Sequence, residues 1–213
     1  MKKPRILLAD DHTLFVEALH SVLEPEFELV GEVGDGRALL EAAPRLLPDV
    51  ILLDLSMPLL NGIDAAYQLR RLVPEAKLLF LSMHGDATYV TEAFRAGAAG
   101  YVLKRSTATE LLQAIRAILR GHLYVSPMLA KDVLDPVLTG KQPLTSAQAQ
   151  LTLRQREVLQ LVAEGRSLKE IASILCVSVK TVEFHKTRIV KQLNLRTTAD
   201  LTKYAITHGL VSG

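Results

Sequence analysis

Residues 50–62 read VILLDLSMPLLNG: four aliphatic residues run directly into Asp54, and a loop follows that ends at Gly62. A short aliphatic run bounded by acidic, proline and glycine residues is typical of a buried β-strand. The pattern places Asp54 at the carboxyl end of a predicted strand, Val50–Leu53. This stretch decides the fold because the chain on both sides repeats the same alternation of short apolar runs and longer amphipathic segments.

Five apolar runs before residue 121 are predicted strands: Ile6–Ala9, Leu29–Val33, Val50–Leu53, Leu78–Leu81 and Tyr101–Leu103. Helical patterns lie between and after them, at 12–23, 36–46, 62–72, 86–96 and 107–120. Alternating strands and helices indicate βαβ units, and hence a five-stranded parallel sheet with helices on both faces. Ligands of such doubly wound α/β sheets bind at the carboxyl ends of the strands.

The alternation stops after residue 120. Glycine and proline punctuate residues 121–150, which we expect to form an interdomain linker, helical around 127–138. Beyond it the predicted elements are all helices: Arg154–Glu164, Ser167–Leu175, Val179–Leu193 and Thr198–His208. The sequence therefore predicts one α/β domain at 1–120, a linker at 121–150 and a small all-α domain at 151–213.

Composition excludes several classes of protein. The 213 residues are 49% hydrophobic and 23% charged, which excludes disorder as the main state. A single cysteine, Cys176, excludes an intramolecular disulfide. No apolar run approaches the ~20 residues of a membrane helix, and the N-terminus lacks a secretory pattern. We expect a soluble, cytoplasmic protein with no membrane partner.

The net charge of +2 is divided unevenly along the chain. Residues 1–125 carry a net charge of −3, and residues 151–213 carry +5. A basic domain behind an acidic one is compatible with binding to a polyanion such as nucleic acid. Charge alone leaves open that the basic face is merely solvated. The same division favours a closed arrangement of the two domains as a hypothesis.

Polar side chains follow four of the predicted strands. Asp10 and Asp11 come after the first strand, Asp54 after the third, Ser82 after the fourth and Lys104 after the fifth. Converging carboxylates repel one another and need a cation, and oxygen ligands of this kind suit Mg²⁺. A hydroxyl and an ammonium group opposite them can bind the oxygens of a phosphoryl group.

Each of these residues also has an ordinary structural explanation. Asp10 and Asp11 can cap the helix that begins at His12, and Asp54 and Ser82 can be turn residues. Lys104 can be a charged residue of an edge strand. The functional interpretation depends on all of them meeting at one end of one sheet.

The sequence from Asp54 to Gly62 resembles the phosphorylation loop of the receiver domains of two-component response regulators. The resemblance covers residues 4–120, with Gly100-Tyr-Val-Leu-Lys104 placed like the switch aromatic and lysine of that family. It implies a flavodoxin-like fold with Asp54 as the phospho-acceptor. Lys104 would pair with the phosphoryl group, and Ser82 would bind it and move, drawing Tyr101 inward.

The resemblance also implies the ligands of a magnesium ion. They would be the side chains of Asp10, Asp11 and Asp54 and the backbone carbonyl of Ser56.

In the C-terminal part, Ser167–Leu175 and Val179–Leu193 are separated by a tight turn. Apolar residues such as Ile171 on the first helix can meet Val179, Val182, Ile189 and Leu193 on the second. The basic residues then remain outward, which fits a helix lying in a DNA major groove, although an ordinary helical hairpin with a solvated face has the same pattern. We expect Cys176, in the turn, to be a small buried residue.

Residues 151–211 resemble the LuxR-type DNA-binding domain that accompanies receivers in the NarL/FixJ class. The motifs are Leu151–Leu159, Ala163–Gly165, Lys169–Ala172 and Val179–His185. The resemblance implies that Val179–Leu193 is the recognition helix and that Thr198–His208 supplies a dimer contact through residues such as Leu201 and Ala205. Its implied phosphate contacts are Lys180, Thr181, His185, Arg188 and Lys191, and its implied contacts to base edges are Glu183, Phe184 and Thr187.

We therefore expect a transcription regulator that is not an enzyme. A sensor histidine kinase or a small phosphodonor would phosphorylate Asp54 with Mg²⁺, and the protein would then dimerise on two promoter half-sites in double-stranded DNA. One alternative is a metal-dependent phosphatase, but such enzymes usually have a second acid two residues after the nucleophile, where this chain has Ser56. Another alternative is a receiver that signals by protein contacts without phosphorylation.

Overall fold

A computed structural model describes residues 2–129 and 151–211 of the chain. Its six-stranded parallel sheet has the strand order β2-β1-β3-β4-β5-β6. The strands are β1 (Arg5–Ala9), β2 (Glu28–Val33), β3 (Val50–Asp54), β4 (Lys77–Ser82), β5 (Gly100–Leu103) and β6 (Tyr124–Val125). The doubly wound α/β fold is confirmed, and β1 and β3 are neighbours in the sheet as a common acidic pocket requires.

Five helices cover the two faces of this sheet. They are α1 (Thr13–Leu23), α2 (Gly36–Leu46), α3 (Gly62–Leu72), α4 (Ala87–Ala96) and α5 (Ala108–Leu119). Successive strand residues point to opposite faces, so Ile51 and Leu53 pack with α2, α3 and α4, while Val50 and Leu52 pack with α1 and α5. Because both faces are covered, the strands are continuous apolar runs, which is why they could be predicted from the sequence.

The sheet has one more strand than the five predicted. Tyr124 and Val125, at the start of the predicted linker, pair in parallel with β5. The buried hydroxyl of Ser126 is bound by Glu110 of α5 and accepts from the backbone N–H of Leu103. A two-residue strand carries too little hydrophobic pattern to be predicted. The predicted helix at 127–138 falls largely outside the described residues.

The loop after β3 is shaped by a close backbone contact at Gly62. A Cβ atom at this position would lie 2.1 Å from the carbonyl oxygen of Asp54. The amide of Gly62 also donates to the carbonyl of Leu55 at 2.8 Å, which folds the loop back onto the end of the strand. Glycine is required here because any side chain would push the loop away from Asp54.

We therefore expect Gly62→Ala to lower the free energy of unfolding by about 1–3 kcal/mol, since the clash is with backbone atoms that cannot rotate away. Urea denaturation measures this change. Gly34→Ala is the matched control, because its nearest neighbour would be 3.9 Å away. Equal stability of the two variants would contradict the packing of this loop.

The C-terminal part forms four helices around a separate apolar core. They are α6 (Leu153–Ala163), α7 (Leu168–Ile174), α8 (Val179–Leu193) and α9 (Thr198–Thr207). Hydroxyl side chains cap all four helices at their N-termini: Thr152, Ser167, Ser178 and Thr197. The bounds of the predicted helices agree with the structure to within one residue at each end. Hydroxyl residues at the N-caps mark the helix starts in the sequence, whereas last turns fray and are harder to predict.

Four expectations about this unit were wrong. Cys176 is exposed and has a φ of 52°, because it forms the left-handed turn between α7 and α8. Val179 is 37% exposed in the first turn of α8, whereas Val182 and Ile189 are buried as expected. Leu201 and Ala205 are both buried in the core of their own helical unit, so they are not available for a dimer contact.

Candidate functional site

The carboxylates of Asp10, Asp11 and Asp54 converge at the carboxyl ends of β1 and β3, as expected from the strand order. Together with the imidazole of His12 they offer four ligand atoms that all lie within 4.8 Å of one another. Asp10 and Asp54 are buried, whereas Asp11 is exposed. The helix cap that was an alternative role for the acidic pair is occupied by His12, whose side chain makes no capping bond.

Lys104 provides the positive charge of the pocket. Its Nζ lies 2.8 Å from Asp10 Oδ2 and 3.0 Å from Asp54 Oδ2, and its side chain is only 5% exposed. The same ammonium group lies 5.1 Å from the centre of the Phe15 ring, a favourable position for a cation. β5 ends at Leu103, so Lys104 follows directly at the edge of the sheet where the pocket lies.

The environment of Asp54 shifts its acidity. Burial raises the pKa of the Asp54 carboxyl to about 6; the neighbouring Asp10 adds to the rise, and Lys104 opposes it. The backbone N–H of Leu55 donates to Asp54 Oδ1 at 2.7 Å and stabilises the ionised form. Asp54 Oδ2 faces Lys104.

This shift predicts a pH-dependent stability in metal-free protein. The unfolded chain ionises Asp54 near its ordinary pKa of 3.8, whereas the folded chain holds the proton to about pH 6. Stability therefore falls as the pH rises from about 4 to about 6, by up to about 3 kcal/mol, and is constant above that range.

Urea denaturation in a chelator at pH 4 and pH 7 tests this expectation. As the pH rises, wild type should lose stability relative to Asp54→Asn, whose side chain does not ionise. Addition of Mg²⁺ at pH 7 should reduce that difference, because a cation favours the carboxylate. Parallel pH profiles for the two proteins would contradict the assignment.

The donor set fits a hard divalent cation. Three carboxylates at the mouth of a sheet, one of them exposed to solvent, match a magnesium site that keeps part of its water. Ser56, whose backbone carbonyl was expected to join them, lies in the loop that follows directly from Asp54. His12 was missed by sequence reasoning, and only its position directly after the acidic pair could have pointed to it.

The predicted switch residues Ser82 and Tyr101 lie on adjacent strands. Ser82 is buried at the end of β4, and its Oγ accepts from the backbone N–H of His84 at 3.0 Å. Tyr101 is fully buried, and its hydroxyl donates to the carbonyl of His84 at 2.8 Å. Both residues therefore hold the same short loop, and the side chain of Tyr101 points inward.

Helix α8 presents the predicted DNA-contacting residues on its outer surface. The exposed members are Lys180, Glu183, Phe184, Thr187, Arg188 and Lys191, and the half-buried members are Thr181 and His185. Arg188 stacks on Phe184, with its guanidinium carbon 4.7 Å from the ring centre. Burial lowers the pKa of His185, assisted by Arg154 and Arg188.

A polar interface joins the loop after Asp54 to α6. Gln160 accepts from the backbone N–H of Asn61 at 2.8 Å and donates to the carbonyl of Met57 at 2.9 Å. Glu164 accepts from the backbone N–H of Leu59 at 3.0 Å. The helical unit thus contacts the backbone of the loop directly and leaves α8 exposed.

Ion pairs and a hydrogen bond extend this interface along α2 and α3. The guanidinium of Arg156 binds Asp64, with Nε 2.7 Å from Oδ1, and Asp64 is only 1% exposed. Glu157 accepts from Arg37 at 3.0 Å and from Gln68 at 3.1 Å. Polar residues of α6 are therefore buried between the two units instead of facing solvent. Their spacing of three and four residues gave a weak signal, because a solvated helix face has the same pattern.

Within the part of the chain that the structure describes, no helix combines the length and the apolar character needed to cross a bilayer.

Each of the two folded units matches a known protein family. Residues 6–116 match the response regulator receiver domain, and residues 149–205 match the bacterial regulatory proteins of the luxR family. The chain therefore belongs to the response regulators that join a receiver domain to a LuxR-type DNA-binding domain. Members of this family regulate transcription in two-component systems and are not classical enzymes.

Similar curated proteins include the transcriptional regulatory protein MctR of Rhizobium johnstonii, at 38% identity over 99% of this chain and 96% of the relative. DegU of Brevibacillus brevis is 34% identical over 98% of this chain and 95% of the relative.

Two solved structures illustrate the fold. A LuxR-family response regulator from Aurantimonas sp. is 34% identical over 64% of this chain and 99% of that chain, with a TM-score of 0.62. RcsB of Salmonella enterica, bound to promoter DNA with the phosphomimetic BeF₃⁻, is 26% identical over 97% of this chain and 100% of that chain, with a TM-score of 0.64.

Proposed function

We propose that phosphorylation of Asp54 controls the binding of this regulator to DNA. The observation that carries the proposal is the buried Asp54 Oδ2 next to the ammonium of Lys104, at 3.0 Å, in a pocket of three carboxylates. An aspartate in such a pocket is a suitable nucleophile for a phosphoryl group. The donor would be a sensor histidine kinase or a small acyl phosphate.

In the proposed reaction, Oδ2 of ionised Asp54 forms a bond to phosphorus while the bond between phosphorus and the donor breaks. The leaving group takes the electron pair of that bond, as a histidine nitrogen or a carboxylate oxygen. Lys104 neutralises the equatorial oxygens of the transferred group. When bound by Asp10, Asp11, Asp54 and the carbonyl of Ser56, Mg²⁺ would supply further neutralisation of the same charge.

Ser82 and Tyr101 would transmit the change. The hydroxyl of Ser82 now accepts from His84, and in the proposed switch it donates to the phosphoryl group instead. The loop of His84 would then shift, and Tyr101, which binds the carbonyl of the same residue, would fix its new position.

The proposed DNA interface is α8 in the major groove. Lys180, Thr181, His185, Arg188 and Lys191 would contact phosphates, and Glu183, Phe184 and Thr187 would face base edges, where a glutamate accepts from a cytosine amino group. Two copies would bind adjacent half-sites. The outer surface of α9, with Ile206 43% exposed, is a better candidate for the dimer contact than its buried residues. With DNA as its target, the protein would act in the cytoplasm.

A DNA selection experiment tests the proposal. Binding sites are enriched from genomic fragments, and the affinity for the enriched site is then measured with and without acetyl phosphate and Mg²⁺. Phosphorylation should tighten binding by roughly tenfold or more, as is usual for coupled sites. Asp54→Asn should show no response. An identical response in wild type and variant would contradict the proposal.

A further inference from the structure

The imidazole of His12 enters the acidic pocket although its residue stands at the N-terminus of α1. The backbone N–H of His12 donates to Asp10 Oδ1 at 2.9 Å, which turns the residue toward the carboxylates. Its Nδ1 lies 2.9 Å from Asp10 Oδ1, 3.2 Å from Asp11 Oδ1 and 3.7 Å from Asp54 Oδ2. One ring nitrogen is therefore surrounded by an oxygen from each of the three carboxylates.

These separations suit a shared ion. Ligand atoms about 2.1 Å from one metal ion lie roughly 3–3.4 Å from their nearest fellow ligands. The distances from Nδ1 to Asp10 and Asp11, 2.9 Å and 3.2 Å, agree with that range, and the distance to Asp54 Oδ2, 3.7 Å, is slightly longer. The imidazole is also 58% exposed, so the ring can adjust its position without disturbing the core.

A cationic group already lies at this place in the pocket. The Nζ of Lys104 lies 3.2 Å from the same Nδ1, 2.8 Å from Asp10 Oδ2 and 3.0 Å from Asp54 Oδ2. The ring nitrogen of His12 and the carboxylate oxygens therefore surround one positive charge together.

We propose that His12 is a nitrogen ligand of the divalent ion in this pocket, so that the site accepts borderline transition-metal ions from Fe²⁺ to Zn²⁺ as well as Mg²⁺. Imidazole nitrogen favours ions later in the first transition row, whereas Mg²⁺ prefers oxygen. This inference rests on the proposed metal site of the receiver and adds a ligand to it. In this proposal the three carboxylates bind both Mg²⁺ and the transition-metal ions, and His12 raises the affinity for the transition-metal ions alone.

The test compares full-length wild type with His12→Asn, in which an amide oxygen replaces the nitrogen. Isothermal titration calorimetry gives the Kd for Co²⁺ and for Mg²⁺, and visible absorption of bound Co²⁺ reports nitrogen ligation. The Kd for Co²⁺ should rise by roughly tenfold or more in the variant. The Kd for Mg²⁺ should change by less than about twofold, since oxygen ligands remain. The exposed His122→Asn is the control and should match wild type for both ions.

Three outcomes would overturn the inference: unchanged Co²⁺ binding and spectrum in His12→Asn, an equal loss for both ions, or wild type that binds neither ion. Only the third would also remove the metal from the proposed function, so the two failures can be told apart. Thermal unfolding of each variant checks that it is folded. His12→Gln replaces the asparagine variant if that protein does not fold.

Discussion

Replacement of Arg156 by alanine is expected to destabilise the contact between the two folded units by roughly 3–5 kcal/mol, because it leaves the carboxylate of Asp64 buried without its partner. Asp64 is 1% exposed, and Arg156 lies against it from the other unit. Differential scanning calorimetry of the whole chain should show the receiver and the helical unit unfolding further apart in temperature. Limited proteolysis should cleave the chain between the two units faster in the variant than in wild type.

Two further variants separate this effect from a general loss of stability. Arg156→Ala combined with Asp64→Asn removes the uncompensated charge and should recover part of the loss, as a double-mutant cycle would measure. Arg196→Ala removes an exposed arginine on the same unit and should leave the unfolding profile unchanged. If Arg156→Ala behaves like Arg196→Ala, the polar interface is not formed in solution.

Replacement of both Lys180 and Arg188 by alanine should weaken DNA binding by roughly ten- to a hundredfold. Both side chains are exposed on α8, and each is proposed to neutralise a phosphate. The slope of log affinity against log salt concentration should therefore fall by about 1.8. Lys203→Ala, which removes one exposed lysine of the same unit outside α8, is the control and should retain most of the affinity.

Fluorescence anisotropy on the selected DNA site, over a range of salt concentrations, measures both quantities. An unchanged salt slope in the double variant would place the DNA interface elsewhere on the basic unit. A similar loss in Lys203→Ala would indicate that net charge, and not the surface of α8, determines the affinity.

The pocket could be predicted from the sequence because, in a parallel sheet, residues that follow different strands lie at the same edge. Asp54 and Lys104 each follow an apolar run, and the carboxyl ends of all strands meet at one edge. No knowledge of side-chain packing was needed to bring them together. The short sixth strand escaped prediction because its two residues pair only in the context of β5.

The interface between the units could not be predicted in the same way. Gln160 is completely buried, but its partners include backbone groups of a loop about a hundred residues earlier in the chain. Leu59, which donates to Glu164, has a φ of 64°, a conformation that neither its residue type nor its neighbours suggest. Contacts of this kind depend on how two completed folds meet, and local patterns carry little information about that.

The position of α6 also refines the hypothesis of a closed form. In that hypothesis, which the charge division favours, the acidic unit covers the basic recognition helix. In the structure, the contact uses α6 and the loop next to Asp54, while the basic residues of α8 stay exposed. Control of DNA binding by this contact would therefore act through the placement of the units, not by covering α8.

The most direct test of the account is the intact mass of the protein after incubation with acetyl phosphate and Mg²⁺. Wild type should gain a single phosphoryl group, and Asp54→Asn should gain none. Omission of Mg²⁺ should greatly slow the reaction of wild type. Modification of Asp54→Asn to the same extent as wild type would place the phosphorylated residue elsewhere and contradict the central claim.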